Sequence, residues 1–168
     1  MYELIPKRTN KKANEMILLF FIGAAAMMLV TMLFPTVPFR WAFQLISLCL
    51  LTAGVFLVTR YVTKLFFYRI EEGDLIVTET DTRGKKRLVV CRVGVSSVVR
   101  CERLTDANQV KAALASLRKQ GVKVFDYTVD LRPAESILLV VNEGGDDLAV
   151  RLSFDDTLFS ILTPKEAE

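Results

Sequence analysis

Two long uncharged segments constrain this chain more than any other feature of its sequence. Residues 16–34 (MILLFFIGAAAMMLVTMLF) and 41–59 (WAFQLISLCLLTAGVFLVT) each contain 19 residues without an acidic or basic side chain. As a helix with a rise of ~1.5 Å per residue, such a segment spans about 28 Å, close to the ~30 Å hydrocarbon core of a bilayer. Because lipid cannot hydrogen-bond to the backbone, both segments are predicted to be membrane-spanning helices.

The short connection between the two segments predicts an antiparallel helical hairpin. Pro35 and Pro38 bracket a turn that cannot continue a helix. The composition fits this interpretation, since 52% of the residues are hydrophobic and the mean hydropathy is +0.35. A cleavable signal peptide is the main alternative, because a basic start and Ala24–Ala26 resemble one. The apolar run continues unbroken to Phe34 and a second segment follows, which disfavours cleavage.

Basic residues flank the hairpin on both sides and set its expected orientation. They are Lys7, Arg8, Lys11, Lys12, Arg60 and Lys64. Because the turn between the segments holds only Arg40, the positive-inside rule predicts that both termini are cytoplasmic and that the turn is outside. We therefore interpret residues 1–15 as a basic cytoplasmic segment and residues 16–62 as a multi-pass hairpin in the cell membrane.

Small residues recur within the two segments and predict a close approach of the helices. They are Gly23, Ala24, Ala42, Ala53 and Gly54. Small side chains allow membrane helices to pack tightly, either within one hairpin or between copies of the chain, and both interpretations stay open. Neither segment contains a charged residue, which favours an anchor over an ion or substrate pathway.

The residue pattern after position 63 predicts a mainly β domain over 63–163, followed by a tail at 164–168. Short apolar or alternating runs separated by turn residues predict seven strands. These are 65–70, 75–80, 87–93, 95–101, 122–131, 136–142 and 148–154. In the last strand, Arg151 and Ser153 are expected to face outward.

Two helices are predicted within this domain. Val110, Leu114 and Leu117 recur at helical spacing before Gly121, and Asp106 and Gln109 have the spacing of a capping box. A short terminal helix capped by Asp155 or Asp156 is expected to end at Leu162, before Pro164.

This order of four strands, a helix, three strands and a terminal helix resembles the pleckstrin-homology-like (PH-like) fold. That resemblance implies an α+β sandwich of a four-stranded and a three-stranded antiparallel sheet packed orthogonally, with one inserted helix and a C-terminal capping helix. The hairpin, the opening FFYRIEEGDLIVTET and the later GVSSVVR make the chain similar to membrane-anchored bacterial PH-like proteins. PH domains that bind inositol phosphates use basic residues at the first β-hairpin, whereas the turn here, at 71–74, is acidic.

The sequence shows no constellation that supports catalysis. The chain contains no His, which removes the commonest general base and a usual zinc ligand. Cys49, Cys91 and Cys101 match no metal or redox spacing and are expected to be semi-buried thiols in a reducing compartment. We expect no catalytic residue, no metal ligand and no cofactor, and the net charge of +3 does not indicate nucleic-acid binding.

The leading hypothesis is a non-enzymatic, membrane-anchored module whose cytoplasmic PH-like domain mediates protein interaction or self-association at the inner membrane face. One alternative is a sensor of anionic lipid surfaces, for which the basic cluster is Arg83, Lys85, Lys86 and Arg87. The same cluster is also compatible with an ordinary solvated β-hairpin. Another alternative is an accessory subunit of a membrane transport or secretion complex.

Overall fold

The computed structural model describes residues 2–7, 12–34, 38–81 and 87–164, and it has an α+β fold. The chain divides into two compact units. One unit is Asn10–Lys64, and the other combines Met1–Thr9 with Leu65–Glu168. The β domain therefore receives chain from both sides of the apolar hairpin.

The first unit is a pair of long apolar helices. Helix α1 covers Lys12–Leu33 and helix α2 covers Arg40–Val58, after which Thr59–Thr63 continues as a π-helical turn. Their mean hydropathies of 2.5 and 2.1 make both helices candidate membrane spans by length and composition. Within the most apolar 18-residue window of each helix, only 11% and 17% of the window is buried, whereas the core helix of a soluble protein is mostly buried.

The first sheet of the β domain contains four strands in the order β1-β2-β3-β4. Strand β1 is Tyr2–Leu4, β2 is Lys64–Glu71, β3 is Asp74–Asp81 and β4 is Arg87–Gly94. Strand β1, which precedes the apolar helices, pairs antiparallel with β2, which follows them. In this register Tyr2 lies opposite Ile70, and Leu4 lies opposite Tyr68.

The second sheet also contains four strands, in the order β5-β7-β8-β6. Strand β5 is Val98–Leu104, β6 is Lys123–Asp126, β7 is Ser136–Glu143 and β8 is Asp146–Ser153. Strand β7 is antiparallel to both β5 and β8, whereas β6 is parallel to β8. A parallel pair needs a long connection, and here the chain runs from β6 to β8 through residues 127–135 and strand β7.

Two helices cover the second sheet and the domain core. Helix α3 is Ala107–Lys119, and its Gln109 side chain accepts a hydrogen bond from the Thr105 amide at 3.3 Å, while Asp106 makes no side-chain cap. Helix α4 is Asp156–Leu162, and its cap is Asp155, which accepts from the Leu158 amide at 3.0 Å.

The main core combines inward side chains of both sheets with helix α4. Tyr68, Ile137, Leu139, Leu152 and Leu158 are among its fully buried members. A second, smaller cluster lies on the other side of the second sheet, where Leu117 of α3 packs with Leu104, Leu138 and Ala149. Helix α3 therefore gives the second sheet two buried faces, which makes β7 apolar on both sides.

The strands and sheets differ from the sequence prediction in four ways. The second sheet has four strands and contains the parallel pair of β6 with β8, whereas three antiparallel strands were expected. The described chain has eight strands rather than seven, because Tyr2–Leu4 forms an unpredicted strand. The strand predicted at 95–101 begins at Val98 and belongs to the second sheet, not the first. The strand predicted at 122–131 ends at Asp126, after which Thr128 and Asp130 are buried in irregular chain.

The outward orientation predicted for Arg151 and Ser153 is wrong. Arg151 is only 8% exposed and Ser153 only 9%. Arg151 Nε donates to Ser136 Oγ at 3.1 Å, and its Nη1 lies 3.2 Å from Asp126 Oδ2. Because the second sheet is covered on both faces, polar residues at alternate positions of β8 are buried and need such partners.

Candidate functional site

The small residues predicted at the helix interface lie mainly between α1 and α2. Ala24 is 2% exposed, and a Cβ added to Gly54 would lie 3.3 Å from the Phe21 ring. A Cβ on Gly23 would lie 3.4 Å from a methyl group of Leu50. Packing within the hairpin therefore explains these three positions. Ala42 and Ala53 are half-buried.

Ser47 is a polar contact between the helices that the sequence analysis did not identify. It is fully buried, and its hydroxyl donates to the Ala24 carbonyl oxygen at 3.0 Å. The sequence could have indicated this contact, because Ser47 is the one serine in the apolar segment 41–59 and a hydroxyl there needs a hydrogen-bond acceptor. The bond fixes the rotation of α2 against α1 at the smallest side chains of the interface.

The basic residues that flank the hairpin are only partly described. Lys7 and Lys12 are exposed, and Arg60 and Lys64 are half-buried. The Arg60 guanidinium lies 5.1 Å from the centroid of the Tyr61 ring, a cation–π distance. Arg8 and Lys11 lie outside the described residues.

Of the four residues in the predicted lipid-facing cluster, the structure describes Arg87. Arg83, Lys85 and Lys86 lie outside the described residues, whereas Arg87 is the exposed first residue of β4. The Arg87 guanidinium carbon lies 5.9 Å from the centroid of the Phe67 ring on β2.

The strands of the first sheet give its two ends different charges. At one end, here called the hairpin end, β1 ends, β2 begins, β3 ends and β4 begins. Strand β4 begins with Arg87 at this same end, and the basic residues Arg83, Lys85 and Lys86, which precede it in sequence, lie outside the described residues. At the opposite end lies the acidic turn 71–74, where Asp74 pairs with Arg92 at 2.7 Å.

A cavity of about 240 Å³ lies on the outer face of the first sheet, and all four strands line it. It is called the Arg87 cavity below. Its lining residues are Glu3, Phe67, Arg69, Thr78, Thr80, Arg87 and Val89. Arg69 Nη2 contacts Glu71 Oε1 at 2.7 Å. Thr80 is 4% exposed, and its buried Oγ1 makes no hydrogen bond within the described chain.

Several edge strands carry exposed apolar side chains. On β4, which pairs only with β3 among the described strands, Leu88 is 64% and Val89 is 55% exposed. Val99 on β5 is 64% exposed and Phe125 on β6 is 41% exposed. An edge strand with unpaired backbone groups and exposed apolar side chains is a template for pairing with another chain.

The cysteine thiols of the domain have little thiolate character at neutral pH. Burial, followed by the charge of Glu143, raises the pKa of Cys91 to about 11. Burial also raises the pKa of Cys101 to about 11, with a smaller contribution from Glu102 that opposes a hydrogen bond with Thr163. A thiol with a raised pKa is a poor nucleophile and a poor metal ligand.

Comparisons with protein-family models, with curated proteins and with solved structures find no match to this chain.

Proposed function

We propose that this protein is a non-enzymatic, membrane-anchored module whose PH-like domain mediates protein interaction or self-association at the cytoplasmic face of the inner membrane. The observation that carries this proposal is the pairing of Tyr2–Leu4 with residues 68–70 across the apolar hairpin. Strands from both flanks of the hairpin belong to one sheet, so both flanks must lie on one side of any membrane that the helices cross.

The positive-inside rule supports the cytoplasm as that side. Basic residues flank the hairpin on the two arms that share the sheet, and the turn between the helices holds only Arg40.

The β4 edge is the surface that best supports protein binding. Leu88 and Val89 are adjacent on an edge strand and both are more than half exposed. Apolar side chains beside unpaired backbone groups favour an added strand from another chain. The partner is a protein with an extended apolar segment, or a second copy of this chain.

Site-specific photocrosslinking in native membranes tests this proposal. A photoreactive amino acid at Leu88 is expected to give a discrete adduct, whose mass identifies a second copy or another protein. The matched control replaces Ser116, an exposed residue on α3, and is expected to give no discrete adduct. Absence of any adduct from Leu88, with the protein intact in the membrane, would contradict the proposal.

A second candidate function is contact with anionic lipid, which the charge distribution of the first sheet favours. Arg87, the described member of the basic cluster, begins β4 at the hairpin end, and the acidic turn lies at the opposite end. Near an anionic surface, each basic residue contributes roughly 1 kcal/mol of attraction.

Depth-dependent quenching of fluorescence tests this second candidate. In a chain with its three native cysteines replaced, a fluorophore is attached at Asp81→Cys or at Glu72→Cys, two exposed positions at opposite ends of the first sheet. With a quencher on the lipid headgroup, stronger quenching is expected at Asp81→Cys. Equal quenching at both positions would exclude a membrane-facing hairpin end. The full chain is required, because a fragment that starts at residue 60 lacks β1.

A further inference from the structure

The Arg87 cavity combines cationic, hydroxyl and aromatic groups within one concave surface. Its walls come from β1, β2, β3 and β4, so it is built by regular strands rather than by a loop. The volume of about 240 Å³ is sufficient for one small polar ligand. Strand side chains hold fixed directions, so the groups that line this cavity are preorganised.

Arg87 supplies a guanidinium that is not committed to an ion pair within the described chain. It is exposed, and the Phe67 ring beside it, with a centroid 5.9 Å away, provides an apolar wall. A guanidinium presents several donors in a plane and suits bidentate contact with a phosphate. Arg69 lines the same cavity, and its charge is largely offset by Glu71, whose Oε1 lies 2.7 Å from Arg69 Nη2, so Arg87 is the main source of positive charge.

Thr80 provides an independent indication of a ligand. Its side chain lines the cavity, it is only 4% exposed, and its hydroxyl oxygen makes no hydrogen bond to the described residues. Buried polar groups are nearly always satisfied by protein, water or ligand. Thr78 places a second hydroxyl-bearing side chain on the same strand and the same lining.

We infer that the Arg87 cavity binds a phosphate-bearing anion, with Arg87 contacting the phosphate oxygens and Thr80 donating a hydrogen bond. The phosphate belongs to a lipid headgroup or to a free anion. Glu3 lines the same cavity, and its carboxylate repels an anion, so it limits the affinity for phosphate. The headgroup form of this inference rests on the proposed membrane location, whereas the free-anion form does not.

The test uses the full chain in maltoside micelles, whose headgroups carry no phosphate. Inorganic phosphate is titrated in one arm, and phosphatidylglycerol is added in another, with a neutral glycolipid as its control. Amide hydrogen exchange at residues 78–80 and 87–89 reports occupancy. Protection by phosphate identifies a free-anion site, and protection by phosphatidylglycerol alone identifies a headgroup site. Protection by neither probe would overturn the inference.

Variants connect that protection to the cavity. Arg87→Gln is expected to raise the half-saturating concentration roughly tenfold or more, the range expected for a charge-assisted hydrogen bond. Arg118→Gln removes the same charge from the exposed surface of α3 and is expected to leave the half-saturating concentration unchanged. Glu3→Gln is expected to lower that concentration. Equal losses from Arg87→Gln and Arg118→Gln would show diffuse attraction and would overturn the inference.

Thr80→Val separates a ligand contact from a structural role. Valine has a similar shape and removes a hydroxyl that has no partner, so the melting temperature is expected to stay constant or rise. Phosphate binding is nevertheless expected to weaken severalfold, and unchanged binding would contradict the role given to Thr80. Crosslinking at Leu88 does not depend on phosphate, so failure of this site and failure of the proposed function are distinguishable.

Discussion

Tyr2 and Asp155 are 153 residues apart in sequence, yet the Tyr2 hydroxyl donates a hydrogen bond of 2.5 Å to Asp155 Oδ1. The same carboxylate caps helix α4 by accepting from the Leu158 amide. The N-terminal strand β1 is thereby attached to the C-terminal helix as well as to β2. This contact explains how three residues before the apolar helices become part of the domain that follows them.

Removing the Tyr2 hydroxyl is expected to destabilise the domain. Tyr2→Phe leaves the ring in place but deletes one hydrogen bond to a carboxylate, which corresponds to a loss of about 1–2 kcal/mol. Thermal unfolding of the full chain in micelles measures the change. Ser116→Ala, which removes an exposed hydroxyl on α3, is the matched control and should leave the transition unchanged. An unchanged transition for Tyr2→Phe would mean that the contact contributes nothing.

The Tyr2–Asp155 contact also predicts how stability depends on alkaline pH. Burial, then the hydrogen bond with Asp155 and its charge, raise the pKa of Tyr2 above its ordinary value. A group whose folded pKa is raised adds stability below its unfolded pKa, and that stability is lost as pH rises further. The melting temperature should therefore fall as pH rises above about 10, which is the ordinary pKa of tyrosine. Tyr2→Phe should show a shallower fall, and equal slopes would contradict this assignment.

Acidic pH tests the other partner of the same contact. Burial alone would raise the pKa of Asp155, but hydrogen bonds from Tyr2 and from the amides of Leu158 and Thr157 outweigh it and lower the pKa. Asp155 therefore adds to the stability of the folded domain above its unfolded pKa of about 3.9, and this stabilisation is lost as pH falls through the lower pKa of the folded state. Asp155→Asn should reduce stability at neutral pH and flatten this acid dependence. An acid profile that matches the unsubstituted protein would contradict it.

The buried position of Arg151 predicts a large loss on truncation. Arg151→Ala leaves the Ser136 hydroxyl and the Asp126 carboxylate without their guanidinium partner. Because the Asp126 side chain is 41% exposed and water can reach it, we expect a loss of about 2–3 kcal/mol rather than the larger loss of a fully buried pair. Arg92→Ala removes an exposed, solvent-screened pair with Asp74 and should cost much less stability than Arg151→Ala. Chemical denaturation compares the two, and equal losses would contradict the prediction.

The contact between α1 and α2 predicts two substitutions that loosen the apolar hairpin. Ser47→Ala removes the hydrogen bond to Ala24, and Gly54→Val forces a branched side chain against Phe21. Expected losses are about 1 kcal/mol for Ser47→Ala and about 1–3 kcal/mol for the overpacked Gly54→Val. Thr52→Ala is the control, because the Thr52 hydroxyl bonds only within its own helix. Proteolysis of the connecting turn in micelles reports the loosening, and unchanged cleavage would contradict it.

Elements with a strong local pattern could be predicted from the sequence. The two apolar runs closely match α1 and α2, and the spacing of Val110, Leu114 and Leu117 correctly predicts α3. The Asp155 cap and the end of α4 at Leu162 also follow from local residue preferences. These features depend on neighbours close in sequence, which a single sequence displays directly.

Features that depend on distant pairing could not be predicted in the same way. Tyr2–Leu4 is too short to show a period, and its partners lie more than sixty residues later, at 68–70. Arg151 looked like an outward residue because alternation alone does not reveal that α3 covers the second face of the sheet. The Arg87 cavity depends on this same pairing, since Glu3 joins Arg69 only in the folded sheet.

One domain is built from both flanks of the apolar hairpin, and a disulfide between those flanks tests this pairing. Glu3 and Arg69 are Cα partners on neighbouring antiparallel strands, within the range that a disulfide can bridge. In a chain with its three native cysteines replaced, Glu3→Cys with Arg69→Cys should crosslink in native membranes on mild oxidation, whereas Glu3→Cys with Arg118→Cys should not. Failure of the first pair to crosslink, with both thiols accessible to a maleimide from the same side, would contradict the pairing of β1 with β2.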